Sequence, residues 1–284
     1  MEPFSGVAAG SEAERLVEQV RERYARIAEG KAEGCCRPSC CAPGEQELAL
    51  GAGYSASELA DVPGEANLGL GCGAPIGFLA LQPGEAVLDL GSGAGLDVFL
   101  AARRVGRSGR VIGLDMTPAM VEKARANAQR LGLPQVEFRE GRLEALPIAD
   151  GSIDAVTSNC VINLVPDKAA VFAEIARVLK PGGRLVISDI VLDGRLPEAV
   201  EKDVYAWCGC IAGAEQRGRY FEIVEAAGLR SVEVLRDTDY AASLAASAPD
   251  GLPTAIEDLL AGASADPRQI AGMIRSVTFR ARKP

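Results

Sequence analysis

The heptapeptide Asp89-Leu90-Gly91-Ser92-Gly93-Ala94-Gly95 constrains the fold of this chain more than any other stretch. It closes the aliphatic run Ala86 to Leu90 and precedes an apolar segment of helical spacing from Leu96 to about Arg104, so it reads as a tight turn from a strand into a helix. Such a turn brings a ligand against backbone amides and a helix N-terminus. The alternation then repeats. A strand at Arg110 to Asp115 is followed by a helix with Thr117 as N-cap and Pro118 at its first position, running to about Leu131 and stopped by Gly132. Strands at Val136 to Arg139 and Ile153 to Ser158, a helix at about Lys168 to Leu179 closed by Pro181-Gly182-Gly183, and a strand at Arg184 to Ile190 complete the series. Five such repeats in one direction predict an α/β fold with a Rossmann-like, doubly wound sheet.

The remainder is less regular. An amphipathic helix from about Glu12 to Ile27 stops at Gly30, and the segment Gly34 to Gly44 carries Cys35, Cys36, Cys40 and Cys41 among Pro, Gly and Ser. Helices at about Pro197 to Ala206, Tyr220 to Ala227 and Thr254 to Leu260 are expected, with strands at Ser231 to Leu235 and Ile274 to Ala281. The 284 residues fit one large domain with an appendage. The divisions are 1–70 for the N-terminal helix and Cys-rich cap, 71–236 for the ligand-binding domain, and 237–284 for a small C-terminal insertion and last strand.

Composition narrows the chemistry. The chain has no histidine and eight cysteines, which excludes Ser-His-Asp and Cys-His catalysis and every histidine-bearing zinc site. A net charge of −9 has the wrong sign for a protein that must neutralise phosphates, so nucleic acid and anionic membrane are not expected partners. No secretory signal and no long apolar span is evident, so a cytoplasmic location is expected, where cysteines serve metal binding, catalysis or redox work more often than structural disulfides.

The ligand of the turn follows from its chemistry. Asp115 ends the second strand 20 residues after Gly95, the spacing at which a carboxylate meets ribose hydroxyls. Asp89-x-Gly-x-Gly-x-Gly resembles motif I of the class I S-adenosylmethionine methyltransferases, whereas the dinucleotide fingerprint requires a third glycine where this chain has Leu96. S-adenosylmethionine has no pyrophosphate but carries an ammonium, so a carboxylate beside the turn attracts it. The resemblance implies a cofactor site made by Asp89, Gly91, Ser92, Gly93, Gly95, Asp115 and Met116. Leu143-Glu144 would lie at the adenine edge, and Asn159 at the end of the fourth strand. It also implies that the strand from Val277 is the antiparallel last strand of that fold.

Fold does not name the acceptor. Cys160 follows the fourth strand, Cys210 follows the fifth, and Cys72 precedes the first in Leu70-Gly71-Cys72-Gly73. Each alone reads as a small buried hydrophobe, yet the fold should bring all three segments to one mouth. With Ser158-Asn159-Cys160-Val161-Ile162-Asn163-Leu164 and Cys210-Ile211-Ala212-Gly213-Ala214, the chain resembles the arsenite S-adenosylmethionine methyltransferases, from about Tyr54 to Ala214. It departs from them at Ala74, where asparagine is common, and at Cys208, an extra thiol left unassigned.

That resemblance implies that Cys72, Cys160 and Cys210 hold arsenite or methylarsenite. Trivalent arsenic is soft and thiophilic, and its lone pair needs no general base, so the absence of histidine is consistent. The resemblance further implies a disulfide between Cys72 and one of Cys35, Cys36, Cys40 and Cys41, with Cys40 or Cys41 favoured, reduced by thioredoxin or glutathione. A zinc knuckle is the competing reading of those four residues, since Cys36 and Cys40 have ligand spacing, although adjacent pairs suit a tetrahedral site poorly. Two other functions remain open: methylation of carbon or oxygen on a small metabolite, and metalloid or zinc binding without catalysis.

Overall fold

A computed structural model of the chain describes residues 11–31, 44–201, 207–240, 242 and 267–284. Its centre is a seven-stranded sheet formed by β1 (Ala86–Leu90), β2 (Arg110–Asp115), β3 (Val136–Glu140), β4 (Ile153–Asn159), β5 (Leu179–Leu192), β6 (Arg230–Asp239) and β7 (Ile274–Arg282). The spatial order is β3-β2-β1-β4-β5-β7-β6, in which β1 to β5 run parallel and β7 inserts antiparallel between β5 and β6. The order reverses beside β1, whose C-terminal end therefore opens on a crevice.

The helices are α1 (Glu12–Ala28), α2 (Glu45–Ala52), α3 (Ala56–Ala60), α4 (Leu96–Val105), α5 (Pro118–Leu131), α6 (Lys168–Val178), α7 (Glu198–Glu201), α8 (Arg217–Ala226) and α9 (Pro267–Met273). Parallel strands covered on both faces are buried without alternation, as Val87 to Leu90 are. Val87, Val111, Ala155 and Val186 face one layer with Val98, Phe99 and Val105 of α4 and Val121 of α5. Leu88, Ile112, Val156 and Ile187 face the other, with Phe172 and Ile175 of α6 and Tyr220 and Val224 of α8. Tyr220, Phe221 and Phe279 stack edge to face at 5.3–6.2 Å between centroids.

The observed boundaries depart from expectation where tertiary pairing overrides local signals. Strand β5 begins at Leu179, earlier than expected, because Leu179 pairs with Ile153 and the Pro-Gly-Gly run is absorbed as an irregularity, with Gly182 N–H bonded to Lys283 O at 3.0 Å. Strand β6 extends to Asp239 because β7 pairs with it that far, and Asp237 accepts from Arg217 and Arg275 at 2.8 and 2.9 Å. Thr117 occupies the N-cap of α5 without a side-chain capping bond; its N–H binds Asp115 instead at 2.8 Å. Of the helix expected from Pro197, Glu198–Glu201 is described, while 202–206 and the expected helix at 254–260 lie outside the described residues.

Three features of the N-terminal region were not anticipated. Helix α3 starts with a reciprocal capping box, Ser55 Oγ accepting from Glu58 N and Glu58 accepting from Ser55 N. Glu58 also pairs with Arg104 at 2.7 Å, which fixes α3 to α4. Helix α1 buries Val20 and Ile27, and its end is held by Lys123 Nζ donating to Ala28 O at 2.8 Å. The strands thus deliver their C-terminal ends beneath α1, α2 and the loop that carries Cys72.

Candidate functional site

The Gly-rich turn shapes one wall of a cleft of about 1190 Å³, counted with its open mouth, over the ends of β1, β2 and β4. Gly91 has φ +66°, and a Cβ there would lie 2.4 Å from Val161 Cγ2, so only glycine lets the loop after β4 press on the turn. Gly93 N–H donates to Asp115 Oδ2 at 2.9 Å while Thr117 N–H donates to Oδ1, so Asp115 clamps the turn to the start of α5. Asp89, Gly91, Ser92, Gly93, Asp115, Met116, Leu143, Glu144 and Asn159, all expected from sequence, line the cleft. Gly95 lies beneath it as the N-cap of α4, with φ +103°.

The cleft is acidic. Burial, then Asp97 and Asp115, push the Asp89 carboxyl well above its usual range, and among the described residues nothing donates a hydrogen bond to it. Burial also raises Asp97 to about 6, opposed by bonds from Tyr54 and Asn159. It raises Asp115, opposed by the Thr117 and Gly93 amides. The one basic side chain among the described lining residues, Arg142, is paired with Glu144 at 2.6 Å. Ser92 Oγ is buried without a partner. Two buried carboxylates and a half-buried one, an orphaned hydroxyl, and apolar surface from Met116, Met120 and Leu143 suit an organic cation with hydroxyl groups.

Beside the cleft, four cysteines share one buried apolar cluster: Cys72, Cys160, Cys208 and Cys210. Cys160, which also lines the cleft, leaves β4 with φ +59°, its N–H bonded to Ser188 O at 2.8 Å. Cys210 has φ +62°, and its thiol donates to Cys160 O at 2.8 Å. Both are non-glycine residues in left-handed backbone, a strain found at functional positions. Cys72 is presented by a loop that Asn159 grips from both sides. Cys72 N–H and Gly73 N–H donate to Asn159 Oδ1 at 3.1 and 3.3 Å, and Asn159 Nδ2 donates to Gly73 O at 2.7 Å. Ser276 Oγ donates to Cys72 O at 2.6 Å. A Cβ on Gly73 would meet Ser188 Oγ at 2.5 Å, so glycine permits this close approach to β5.

The fold brings together the three thiols singled out from sequence. Cys160 interacts with Cys210 and Cys72, and these contacts, followed by burial, hold its thiol well above the usual range. Cys35, Cys36, Cys40 and Cys41, and with them the expected disulfide partner of Cys72 and the zinc-knuckle alternative, lie outside the described residues.

Several residues here escaped the sequence reading. Tyr54 Oη donates to Asp97 at 2.9 Å and accepts from Asn159 Nδ2 at 2.9 Å, joining the acidic cleft to the Cys72 loop. Asp189, buried in β5, places its carboxylate within 4.8 Å of the Cys72 and Cys160 sulfurs. The apolar face expected for α1, with Val20 and Tyr24, joins Val17 in lining the cleft, a placement its spacing does not give, and Tyr24 Oη donates to Cys208 O at 3.2 Å. The capping box at Ser55 and the charge inside the apolar run of β5 were the available signals for Tyr54 and Asp189.

No helix among the described residues is long and apolar enough to cross a membrane. The family described as a methyltransferase domain matches residues 81–228. An arsenite methyltransferase of Halobacterium salinarum is 41% identical over 239 residues, covering 80% of this chain and 60% of the relative. One from Aquipseudomonas alcaligenes is 44% identical over 127 residues, 42% of this chain and 37% of the relative. The chain thus spans less than two thirds of these curated relatives. A solved structure, the arsenic (III) S-adenosylmethionine methyltransferase of Chlamydomonas reinhardtii, aligns with TM-score 0.54 and 32% identity over 84% of this chain and 73% of that one.

Proposed function

Because the chain belongs to the methyltransferase-domain family, and within it to the arsenite S-adenosylmethionine methyltransferases, we propose that it methylates trivalent arsenic held by Cys72, Cys160 and Cys210. The observation that carries this reading is the Cys160 thiol in contact with both Cys72 and Cys210 while lining the acidic cleft, so that acceptor and donor sites share one wall.

S-adenosylmethionine, when bound, supplies an electrophilic methyl group on a cationic sulfur. Asp89, with its unshared carboxylate, and Asp97, held by Tyr54, would meet the ligand's positive charge; Asp115, clamped by the Gly93 and Thr117 amides, would take its ribose hydroxyls. Met116, Leu143 and Glu144, which line the same cleft, would flank the adenine. Ser92 Oγ would gain a partner it otherwise lacks.

At the acceptor site each protonated thiol displaces one hydroxide of arsenite, its proton leaving as water, so three thiols give a neutral three-coordinate arsenic and three waters. The raised Cys160 thiol is protonated at neutral pH and fits this exchange. The remaining lone pair on arsenic attacks the methyl group in line, and no proton has to leave the nucleophile. Burial of the thiol cluster keeps water from competing. Methylation to methylarsenite and dimethylarsenite then needs fewer thiols as methyl groups replace sulfur ligands. Reduction of the methylated arsenic would oxidise Cys72 and one of Cys35, Cys36, Cys40 and Cys41 to a disulfide, restored by thioredoxin or glutathione, in a cytoplasmic detoxification role.

The test is to incubate protein with arsenite, S-adenosylmethionine and thiol and to separate arsenic species by chromatography with elemental detection. Methylated arsenic supports the reading; its absence, with the cofactor shown to bind, refutes it and favours a carbon or oxygen acceptor.

A further inference from the structure

Asp189 has no part in a three-sulfur arsenic site, yet it faces that site. It lies in β5 opposite Val277, fully buried, with its carboxylate and the Cys72 and Cys160 sulfurs all within 4.8 Å of one another. Tyr220 Oη donates to Oδ2 at 3.0 Å and Ile190 N–H to Oδ1 at 3.0 Å, which fix the carboxylate plane. Each oxygen retains acceptor capacity. Cys210 is occupied differently, since its thiol donates to Cys160 O at 2.8 Å.

Two thiols and one carboxylate on buried, positioned elements form a mixed sulfur and oxygen donor set. Trivalent arsenic prefers sulfur and is satisfied by three ligands, so an oxygen donor adds nothing for it. A zinc-group dication with a filled d shell takes four ligands in a tetrahedron and accepts sulfur and carboxylate together, with three protein donors leaving the fourth position open. We propose that Cys72, Cys160 and Asp189 form a binding site for such a cation, Zn²⁺ or Cd²⁺, overlapping the arsenic pocket and giving a complex that cannot be methylated.

Charge supports this set over one that adds Cys210 as a thiolate. Two thiolates and a carboxylate carry −3 and the cation +2; burial raises the Asp189 carboxyl to about 7, so binding sends to solvent the thiol protons and whatever proton Asp189 holds. Lys168, a buried side chain that interacts electrostatically with Asp189, Glu215 and Cys210 and donates to Val165 O at 3.1 Å, moderates the residual −1. Ionising Cys210 as well would add a further buried negative charge. The cation offers no lone pair to a methyl donor, so occupancy ends in inhibition rather than turnover. The proposal rests on donor geometry and stands whether or not arsenic is the substrate.

The probe is Cd²⁺ added to the full chain carrying Cys35→Ser, Cys36→Ser, Cys40→Ser and Cys41→Ser, kept reduced with a phosphine, and followed by sulfur-to-cadmium charge-transfer absorption. One equivalent should bind, and cadmium X-ray absorption should count two sulfurs with the rest oxygen. In the same background Asp189→Asn should weaken Cd²⁺ binding at least tenfold and Cys72→Ser should abolish it. Cys210→Ser should leave it within about threefold. A shell of three or four sulfurs, unchanged affinity in Asp189→Asn, or equal loss in Cys210→Ser and Cys72→Ser overturns the proposal. The sulfur count needs no variant at Asp189, so misfolding of Asp189→Asn leaves the test decisive. Cys210→Ser also separates the two readings: arsenite binding lost with Cd²⁺ kept supports both, and both ions kept refutes only the three-thiol arsenic site.

Discussion

Replacing Tyr54 with Phe removes one oxygen and leaves the buried ring in place. That oxygen donates to both carboxylate oxygens of Asp97 at 2.9 Å and accepts from Asn159 Nδ2 at 2.9 Å, in a position 4% exposed. A hydrogen bond to a charged partner contributes about 1.5–3 kcal/mol. Tyr54 lowers an Asp97 carboxyl that burial has raised to about 6. Loss of ~1.5–3 kcal/mol would carry its midpoint to roughly pH 7–8, since ~1.4 kcal/mol corresponds to one pH unit. At pH 7 the wild-type group is mostly ionised, whereas the variant's is largely protonated and has lost its attraction for the ligand cation. Calorimetric titration with S-adenosylmethionine should show binding weakened roughly two- to fifteenfold at pH 7 and largely restored near pH 9, where the carboxyl ionises again. Urea unfolding should show a loss of about 1–3 kcal/mol. Affinity equal to wild type at pH 7, or a defect that does not shrink with rising pH, shows that Tyr54 does not act through the charge of Asp97.

Three further outcomes follow from the carboxylates, the thiols and the aromatic core. Asp89, Asp97 and Asp115 all stand raised in the free protein, Asp97 at about 6. A cationic ligand favours their ionised forms, so binding should release protons near pH 6 and affinity should fall as pH drops below about 7; calorimetry in two buffers of different ionisation heat checks this, and no proton release contradicts it. Cys160→Ser and Cys210→Ser should each lower arsenite methylation at least a hundredfold with cofactor affinity within about threefold; retained turnover in both excludes the three-thiol site. Phe279→Ala opens a hole beneath Tyr220 and Phe221 and should cost about 3–5 kcal/mol by urea unfolding, without changing which arsenic species form.

The sheet was legible because its signals are local: an aliphatic strand, a glycine turn and a helix repeat within about thirty residues. The wall of the cleft was legible for the same reason, since Asp89 to Gly93 and Asp115 sit at strand ends by construction. The thiols were legible because three chain segments share one sheet edge in this topology. Tyr54 was not, because its partners Asp97 and Asn159 lie 43 and 105 residues away and nothing periodic links them. Helix α1 was legible as amphipathic, but periodicity gives a helix its apolar face and not the surface that face covers; here it covers the cleft. The start of β5 was misplaced because Pro-Gly-Gly ends a helix locally, while pairing of Leu179 with Ile153 decides the strand.

The left-handed backbone at Cys160 and Cys210 bears on engineering. Judged by main-chain geometry alone, both positions ask for glycine or asparagine, and a side chain with a Cβ costs roughly 1–2 kcal/mol at each. A programme guided by main-chain geometry would therefore choose Cys160→Gly and Cys210→Gly, relieving that strain but emptying two buried positions and removing the thiols proposed to hold arsenic. Thermostabilised versions of this chain should be sought with those two codons held fixed, because at these positions the main-chain preference and the side chain of the proposed site are opposed.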